Sequence, residues 1–472
     1  MRHRVSIFSS IDFPMDNTYP SDFFMVQYKK IFYFYWLHDK EGVIILNKQK
    51  FQSMIDEFTV NQEELQQISA AFRRDIEMGL VDEQTSSLRM LKSYVGLPAG
   101  NEQGEFLALD FGGTNIRVLR IKLHGHGQFE ILKKVAKPLR VQGIYDFIDA
   151  QAKAEDLFDF IAGLVDEAID ENHEQEFLLG HTFSFPSEQT NLYNAKLIIW
   201  TKEFATQGVE GQVVNDLLRE ALVRNGVGNV RPTAVINDTV AVLLAAAYKQ
   251  SSTYIGSIYA TGHNTCYLEP YKGETKARMI INLESGAFNK IAPNTYDKIL
   301  DEQSEKPNEQ RLEKMVSGRY LGVLFGLVIA DGFGESNKSY DFTSIDLSSI
   351  LSDVTTSLDD VKKIVEPKLE KTIQQGDCEW IRAIAEAIVI RSARLVAATF
   401  AGIIWHLDGD TVRKQHIAVD GSLYEKMPLC VESIQKALYD ILGEQASVLD
   451  TVLENGGSGL GAAIASAIEP VT

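Results

Sequence analysis

At 472 residues the chain is longer than one hydrophobic core usually organises, so two or more domains or lobes are expected. Hydrophobic residues at 45%, charged residues at 24%, 34 Gly and 12 Pro make a globular composition, which excludes collagenous, repeat-array and wholly disordered chains. Forty-six Lys and Arg against 65 Asp and Glu leave a net charge of −19; that field repels nucleic acid and anionic membrane surfaces, and no basic cluster reverses it.

In chain order, residues 1–50 stand apart, with eleven aromatic residues and no signal-peptide sequence of basic, apolar and small residues. Asp12, Asp16 and Asp22 argue against a transit peptide, leaving an accretion, a partner-docking piece or sequence upstream of the natural start as readings of this segment. From Asn61 the spacing of Leu65, Ile68, Phe72, Ile76 and Leu80 predicts an amphipathic helix, with Gly79 near its end. Phe106–Asp110 and Ile116–Leu123 read as strands joined by a Gly-Gly turn. Helices are expected over 155–171, 211–225 and 239–248, alternating with strands over 177–185 and 233–236, which predicts an α/β fold with a largely parallel sheet. A second hairpin pairs 254–259 with 265–269, so the two loop-bearing hairpins look like one device used twice. Helices over 309–330, 357–372 and 380–406 lead to a strand at 416–419 and a Gly-rich turn into a last helix.

The apolar stretches 320–330 and 387–407 are too short for a membrane span or are interrupted by Arg391 and Arg394, so no span is expected. Cys266, Cys378 and Cys430 lie far apart, which supports neither a disulfide framework nor a zinc site and fits a reducing, cytoplasmic setting.

The strongest chemical signal is LALDFGGTNIRV, Leu107–Val118. Asp110 ends a strand, and Gly112, Gly113, Thr114 and Asn115 form a turn whose backbone N–H groups and side-chain donors can converge on a phosphate, with Arg117 just beyond. An ordinary hairpin turn would need only the two glycines. The second loop, YATGHNTCY, could cradle another phosphate. No GxxxxGK[ST] P-loop occurs, and GGSGLG, Gly456–Gly461, has the wrong spacing for a dinucleotide loop. It reads as a helix start, packed either near a nucleotide or simply against the fold. The segment Gly180–Phe204 is polar where a core would be apolar; Ser184, Thr201 and Lys202 suit a polyhydroxylated ligand, as they would suit a solvated loop. In AVINDTVAVLL, Asp238 begins a helix after an apolar strand. An N-cap is the common role there, but the carboxyl end of a parallel strand is where such sheets bind ligands and where a carboxylate can take a hydroxyl proton.

Together these segments resemble the hexokinase family of sugar kinases, from about Phe58 to Ile468 and in matching order. LALDFGGTN resembles its first phosphate loop, TFSFP and WTK its sugar loops, INDT its catalytic segment, ATGHN its second phosphate loop, and VDGSLY its adenosine motif. NLESGAF and DEQSEKPNEQRLEKMVSGRYLG resemble segments whose Glu and Gln bind the hexose. The resemblance implies a two-lobed, actin-like α/β fold. It implies ATP-dependent phosphorylation of a hexose, with glucose first in expectation, at its 6-hydroxyl. Asp238 is implied as general base, assisted by Lys202, with Ser184, Thr201, Lys202, Asn237, Asn264, Glu284, Gln310 and Glu313 on the hexose. Asp110, Gly112, Gly113, Thr114, Asn115 and Arg117 would face the phosphates and magnesium, Asp110 reaching the metal directly or through water. Thr261 and Gly262 would face the second phosphate side, and Gly421, Ser422 and Leu423 the adenosine. The implied partners are hexose and Mg-ATP, with the protein a monomer or homodimer. The expected lobes are 97–237 with 452–472 (small) and 51–96 with 238–451 (large), residues 1–50 lying apart.

Several positions depart from the family pattern. Glu203 stands in place of Gly, Ala260 and His263 in place of Gly and Thr, Ser285 in place of an aromatic, Asn289-Lys290 in place of Gly-Asp, and Leu460 in place of Lys. Ala260 requires a negative φ, and the lost threonine hydroxyl at His263 would weaken nucleotide binding by about 1 kcal/mol. A non-catalytic hexose sensor is the alternative that these changes motivate, with a kinase for a related hexose as a third reading.

Overall fold

A computed structural model describes residues 44–270 and 278–471; most of the N-terminal segment, 1–43, lies outside the described residues. The first helices among the described residues are α1 (Ile44–Glu57) and α2 (Gln62–Val81). The periodic helix predicted from Asn61 is α2, begun by a capping box in which Asn61 and Glu64 satisfy one another's backbone N–H groups. Gly79 lies near its end, as expected. A Cβ there would lie 2.7 Å from Met90 and 2.9 Å from Ser86, so the glycine serves close approach, and Asp82 is the C-cap.

Two mixed sheets follow the same plan. Strand β1 (Leu91–Lys92) precedes β2 (Gln103–Phe111), β3 (Asn115–Gly125) and β4 (Gln128–Pro138), an antiparallel meander. Helix α3 (Ala154–Ala168) leads to β5 (Phe177–Phe183), and α4 (Val214–Arg224) leads to β6 (Val230–Ile236); β5 pairs parallel with β2, and β6 parallel with β5. Helix α5 (Asp238–Lys249) then crosses to β7 (Thr253–Tyr259), β8 (His263–Glu269) and β9 (Met279–Asn282), again antiparallel. Helices α6 (Thr295–Gln303), α7 (Arg311–Val316), α8 (Gly318–Gly332) and the 34-residue α9 (Gln375–Asp408) precede β10 (Gln415–Asp420), parallel to β7. Strand β11 (Leu449–Leu453) adds parallel to β10, and α10 (Gly457–Ala467) closes the chain.

The sheet orders are therefore β4-β3-β2-β5-β6 and β9-β8-β7-β10-β11, with β1 beyond β9, so one hairpin device is used twice. The expectation of a largely parallel sheet is corrected. Strands joined by tight turns must pair antiparallel, and only those reached through a helical crossover are parallel. The stretch expected as one helix over 309–330 is two, because Ser317 has extended backbone between α7 and α8.

Helix α9 is long and apolar enough to cross a membrane, but its apolar window is mostly buried in the fold. Its arginines are paired: Arg391 bonds both oxygens of Asp297 at 2.8 and 2.7 Å, and Arg394 bonds Asp440 at 2.9 Å. It is a core helix of a two-lobed α/β protein.

Helix α10 joins the two halves. Small residues let it lie against β5 on one side and α5 on the other: a Cβ on Gly180 would fall 1.8 Å from the Ala462 carbonyl oxygen, and one on Gly461 would fall 2.1 Å from that of Ala241. Gly457 and Gly459 likewise face Val242 and Leu119. Close packing accounts for Gly457, Gly459 and Gly461, whereas Gly456 has open space around it and supplies the left-handed φ of 74° that precedes the helix.

Candidate active site

Strand β6 ends at Ile236, and Asn237 caps α5: its Oδ1 accepts the Thr239 N–H at 2.8 Å. Asp238 is thus the first helical residue, not the cap. Its backbone N–H donates to Ser184 Oγ at 3.0 Å, while its Oδ1 also accepts from Thr239 N–H at 2.8 Å. The half-buried carboxylate lies at the carboxyl edge of a parallel strand.

Opposite it, Glu284 is held with φ 51° and ψ 51°, in the left-handed region that non-glycine residues rarely occupy. Its Oε1 accepts from Asn282 Nδ2 at 2.8 Å and from Asn264 Nδ2 at 3.1 Å. Asn264 also donates to Asn282 Oδ1, and its own oxygen accepts from Thr265 and Ser285 N–H groups. Its two amide protons and two acceptor sites are occupied, so in this conformation Asn264 orients Glu284. Asn282, which sequence reasoning quoted in NLESGAF but gave no role, does the same work. Burial raises the Glu284 carboxyl above the usual carboxylate range; Asn282 opposes this, the Asp238 and Glu313 charges add to it, and Lys202 opposes it. Asp238, Glu284, Glu313 and Lys202 therefore share one electrostatic neighbourhood.

Glu313 Oε2 accepts the His263 backbone N–H at 3.1 Å, tying the expected sugar side to the second glycine loop, and burial raises this carboxyl too. Gln310, with φ 51°, places its Oε1 2.6 Å from where a Cβ on Gly286 would stand. Lys202 and Glu203 are also left-handed, at φ 57° and 68°. Glu203 keeps a conformation that glycine adopts freely, which for another residue costs roughly 1 kcal/mol or more. Thr201 precedes them, its carbonyl accepting from Phe204 N–H. The Lys202 stem runs beside Gly113, its Nζ 5.1 Å from the centre of the Phe185 ring, so the sugar loop meets the first glycine loop.

In that first loop Gly112 N–H donates to the Asn115 carbonyl at 3.1 Å, and Asn115 Nδ2 to Thr114 Oγ1 at 3.0 Å. Asp110 is bound on both oxygens, by Arg117 at 2.8 Å and by Thr182 Oγ1 at 3.2 Å. Thr182 is a contact the sequence reading missed. Among the described residues no group of three or more His, Cys, Asp or Glu could hold a metal. In the second loop Ala260 is absent from the positive-φ residues, as its side chain requires. The carbonyls of Ala260 and Thr261 accept from Gly318 and Arg319 N–H groups, and Gly262 faces Glu313. Gly421, at φ 129°, lies against Tyr259 and Ala260, where a Cβ would be 2.5 Å from the Tyr259 oxygen; Ser422 opens a short helix and Leu423 is buried. The adenosine-type turn and the second loop are therefore in contact.

His263 does not face the loop. Its ring is buried, with Nδ1 3.1 Å from the Ile258 carbonyl oxygen. Burial pushes it down to about 4, and pushes His181, packed between Phe111 and Phe183, down to about 3. An unfolded histidine takes its proton near pH ~6.5, so below that pH the unfolded chain binds protons that the folded chain refuses, and each group removes about 1.4 kcal/mol of stability per pH unit. Asp420, raised to about 6 by burial and by the Glu454 and Asp238 charges, acts with the opposite sign. A difference between variants isolates the histidine: between pH 7 and pH 5, urea unfolding of His181→Phe should gain about 2 kcal/mol on the parent. An unchanged difference would show that His181 is protonated normally in the fold.

This is the two-lobed actin-like ATPase fold, with a carboxylate-lined site beside two glycine loops. Two models described as hexokinase match residues 50–248 and 254–468. Hexokinase-1 of Schizosaccharomyces pombe is 33% identical over 465 residues, spanning 91% of this chain and 93% of that protein. A hexokinase crystal structure superposes with a TM-score of 0.80 at 32% identity, covering 89% of this chain and 99% of that one. The hexokinase of Schistosoma mansoni, solved in complex with glucose, gives 0.74 at 29% identity with the same coverage. The chain belongs to the hexokinase family, and it is a sugar-phosphorylating enzyme.

Proposed function

We propose that the protein transfers the terminal phosphoryl group of ATP, presented with Mg²⁺, to the 6-hydroxyl of a hexose, glucose being preferred, with Asp238 as general base. The observation that carries this reading is the convergence of Asp238, Glu284, Glu313 and Lys202 at one place. Glu284 and Glu313, with Ser184, Thr201, Asn237 and Gln310, present acceptors and donors to sugar hydroxyls; Asn264 serves chiefly by holding Glu284. The glucose-bound state of the Schistosoma mansoni enzyme supports glucose as the sugar.

The sugar oxygen attacks the terminal phosphorus as its proton passes to an Asp238 oxygen. The bond from that phosphorus to the bridging oxygen breaks, giving hexose 6-phosphate and ADP. Such transfers run through loose transition states, so positioning and charge neutralisation do most of the work. The Lys202 ammonium, on a stem that runs beside Gly113, suits the developing charge. The first loop beyond Gly112, whose own N–H is taken by the Asn115 carbonyl, and the turn at Gly421 suit phosphates and adenosine. Magnesium supplies charge neutralisation when it arrives with the nucleotide. Asp110, which takes one bond on each oxygen from Arg117 and Thr182, keeps a lone pair on each and would reach it directly or through water. Residues 97–237 with 452–472 would form the small lobe, moving against the remainder to exclude water.

The test is ADP release by purified protein with Mg-ATP and separate hexoses. Turnover highest with glucose is expected; none with any hexose would reject the reading.

A further inference from the structure

The two expected hexose contacts Gln310 and Glu313 sit on a segment whose shape is fixed outside the sugar site. Asp301, in the last turn of α6, accepts the Asn308 backbone N–H on both oxygens, at 3.1 and 2.9 Å, and the Lys314 ammonium at 2.5 Å. Lys314, only 6% exposed, also donates to the Lys306 carbonyl at 2.7 Å. One charge pair thus ties together the start, middle and end of the stretch from α6 to α7. Asn308 and Gln310 lie at φ 67° and 51°, two left-handed non-glycine residues in three positions, a backbone that an untied chain would seldom hold. Helix α6 is itself anchored, since Asp297, one turn before Asp301, takes the buried Arg391. From this clamp the chain turns directly into Gln310 against Gly286 and Glu313 against the His263 N–H.

We propose that Asp301 and Lys314 are positioning residues for hexose: a charge pair outside the sugar pocket sets the geometry of Gln310 and Glu313 and with it sugar affinity. The proposal rests on the function proposed above, and the experiment separates the two.

The full chain carrying Asp301→Asn, Lys314→Met or both is compared with the parent for hexose KM, Mg-ATP KM, kcat and melting midpoint with and without hexose. Each single change should raise hexose KM about tenfold while kcat and Mg-ATP KM stay within about twofold, the signature of lost uniform sugar binding. The double variant should be no worse than the worse single, because the two residues act as one unit. A folded single variant with unchanged hexose KM overturns the proposal, and so does an equal rise in both KM values, which would mean general loosening. Should a single variant fail to fold because it strands a buried charge, the double, which strands none, carries the same expectation. If the parent shows no turnover, the functional reading fails by itself. The pair is then judged from hexose-induced stabilisation: a weaker response in the variants supports it, and equal responses, or none in the parent, overturn it.

Discussion

Asp238→Ala should leave a folded protein that still binds hexose but turns over roughly 10²- to 10⁴-fold more slowly, the range that positioned proton acceptors contribute. The fold should survive because Asp238 is not what starts α5. Asn237 provides the cap through its bond to the Thr239 N–H; the Asp238 side chain duplicates that bond and adds a long one, 3.4 Å, from the Thr239 hydroxyl. The Ser184 contact is made by the Asp238 backbone N–H, which alanine retains. Hexose binding should persist, since Glu284, Glu313 and their supports are untouched, and removing a negative charge from the neighbourhood would ease the ionisation of Glu284. Steady-state kcat, hexose-dependent melting and urea unfolding together check this. Activity within tenfold of the parent would remove Asp238 from the role of base.

Gly180→Ala should cost more than about 3 kcal/mol of stability or prevent folding, the upper range for overpacking a core. The new methyl would stand 1.8 Å from the Ala462 carbonyl oxygen, and α10 cannot retreat from it, since Gly461 already lies against the α5 backbone. Moving α10 would separate β5 from the helix that begins with Asp238. Gly163→Ala is the matched control. It lies in the exposed interior of α3 with nothing within 4 Å of the added carbon, so it should gain about 0.5–1 kcal/mol from helix propensity alone. Urea unfolding of both variants decides; a Gly180→Ala protein as stable as the parent would mean that α10 is not clamped.

The sequence by itself determined what nearest neighbours along the chain control. The helix that begins after Asn61, the two hairpins, the Gly112–Asn115 turn and the placing of Asp238 at a strand-to-helix junction all follow from residues within a few positions of one another. Strand β4 escaped because its edge position leaves it exposed and lysine-bearing, with no clear alternation to betray a buried face. Strand β9 is only four residues long, and its place is set by pairing with β8 and β1. The resemblance supplied candidate residues, but not which of them are already engaged. That Asn264 and Asn282 hold Glu284, that Asp110 is bonded by Arg117 and Thr182, and that His263 turns inward were decided by tertiary structure. The Asp301–Lys314 clamp was decided the same way, since neither residue carries a pattern of its own. The reason is physical. A cap or turn is stabilised by groups local in sequence, whereas the partner of a buried polar side chain is whichever group folding brings within reach, and leaving it unpaired would cost more than about 1 kcal/mol.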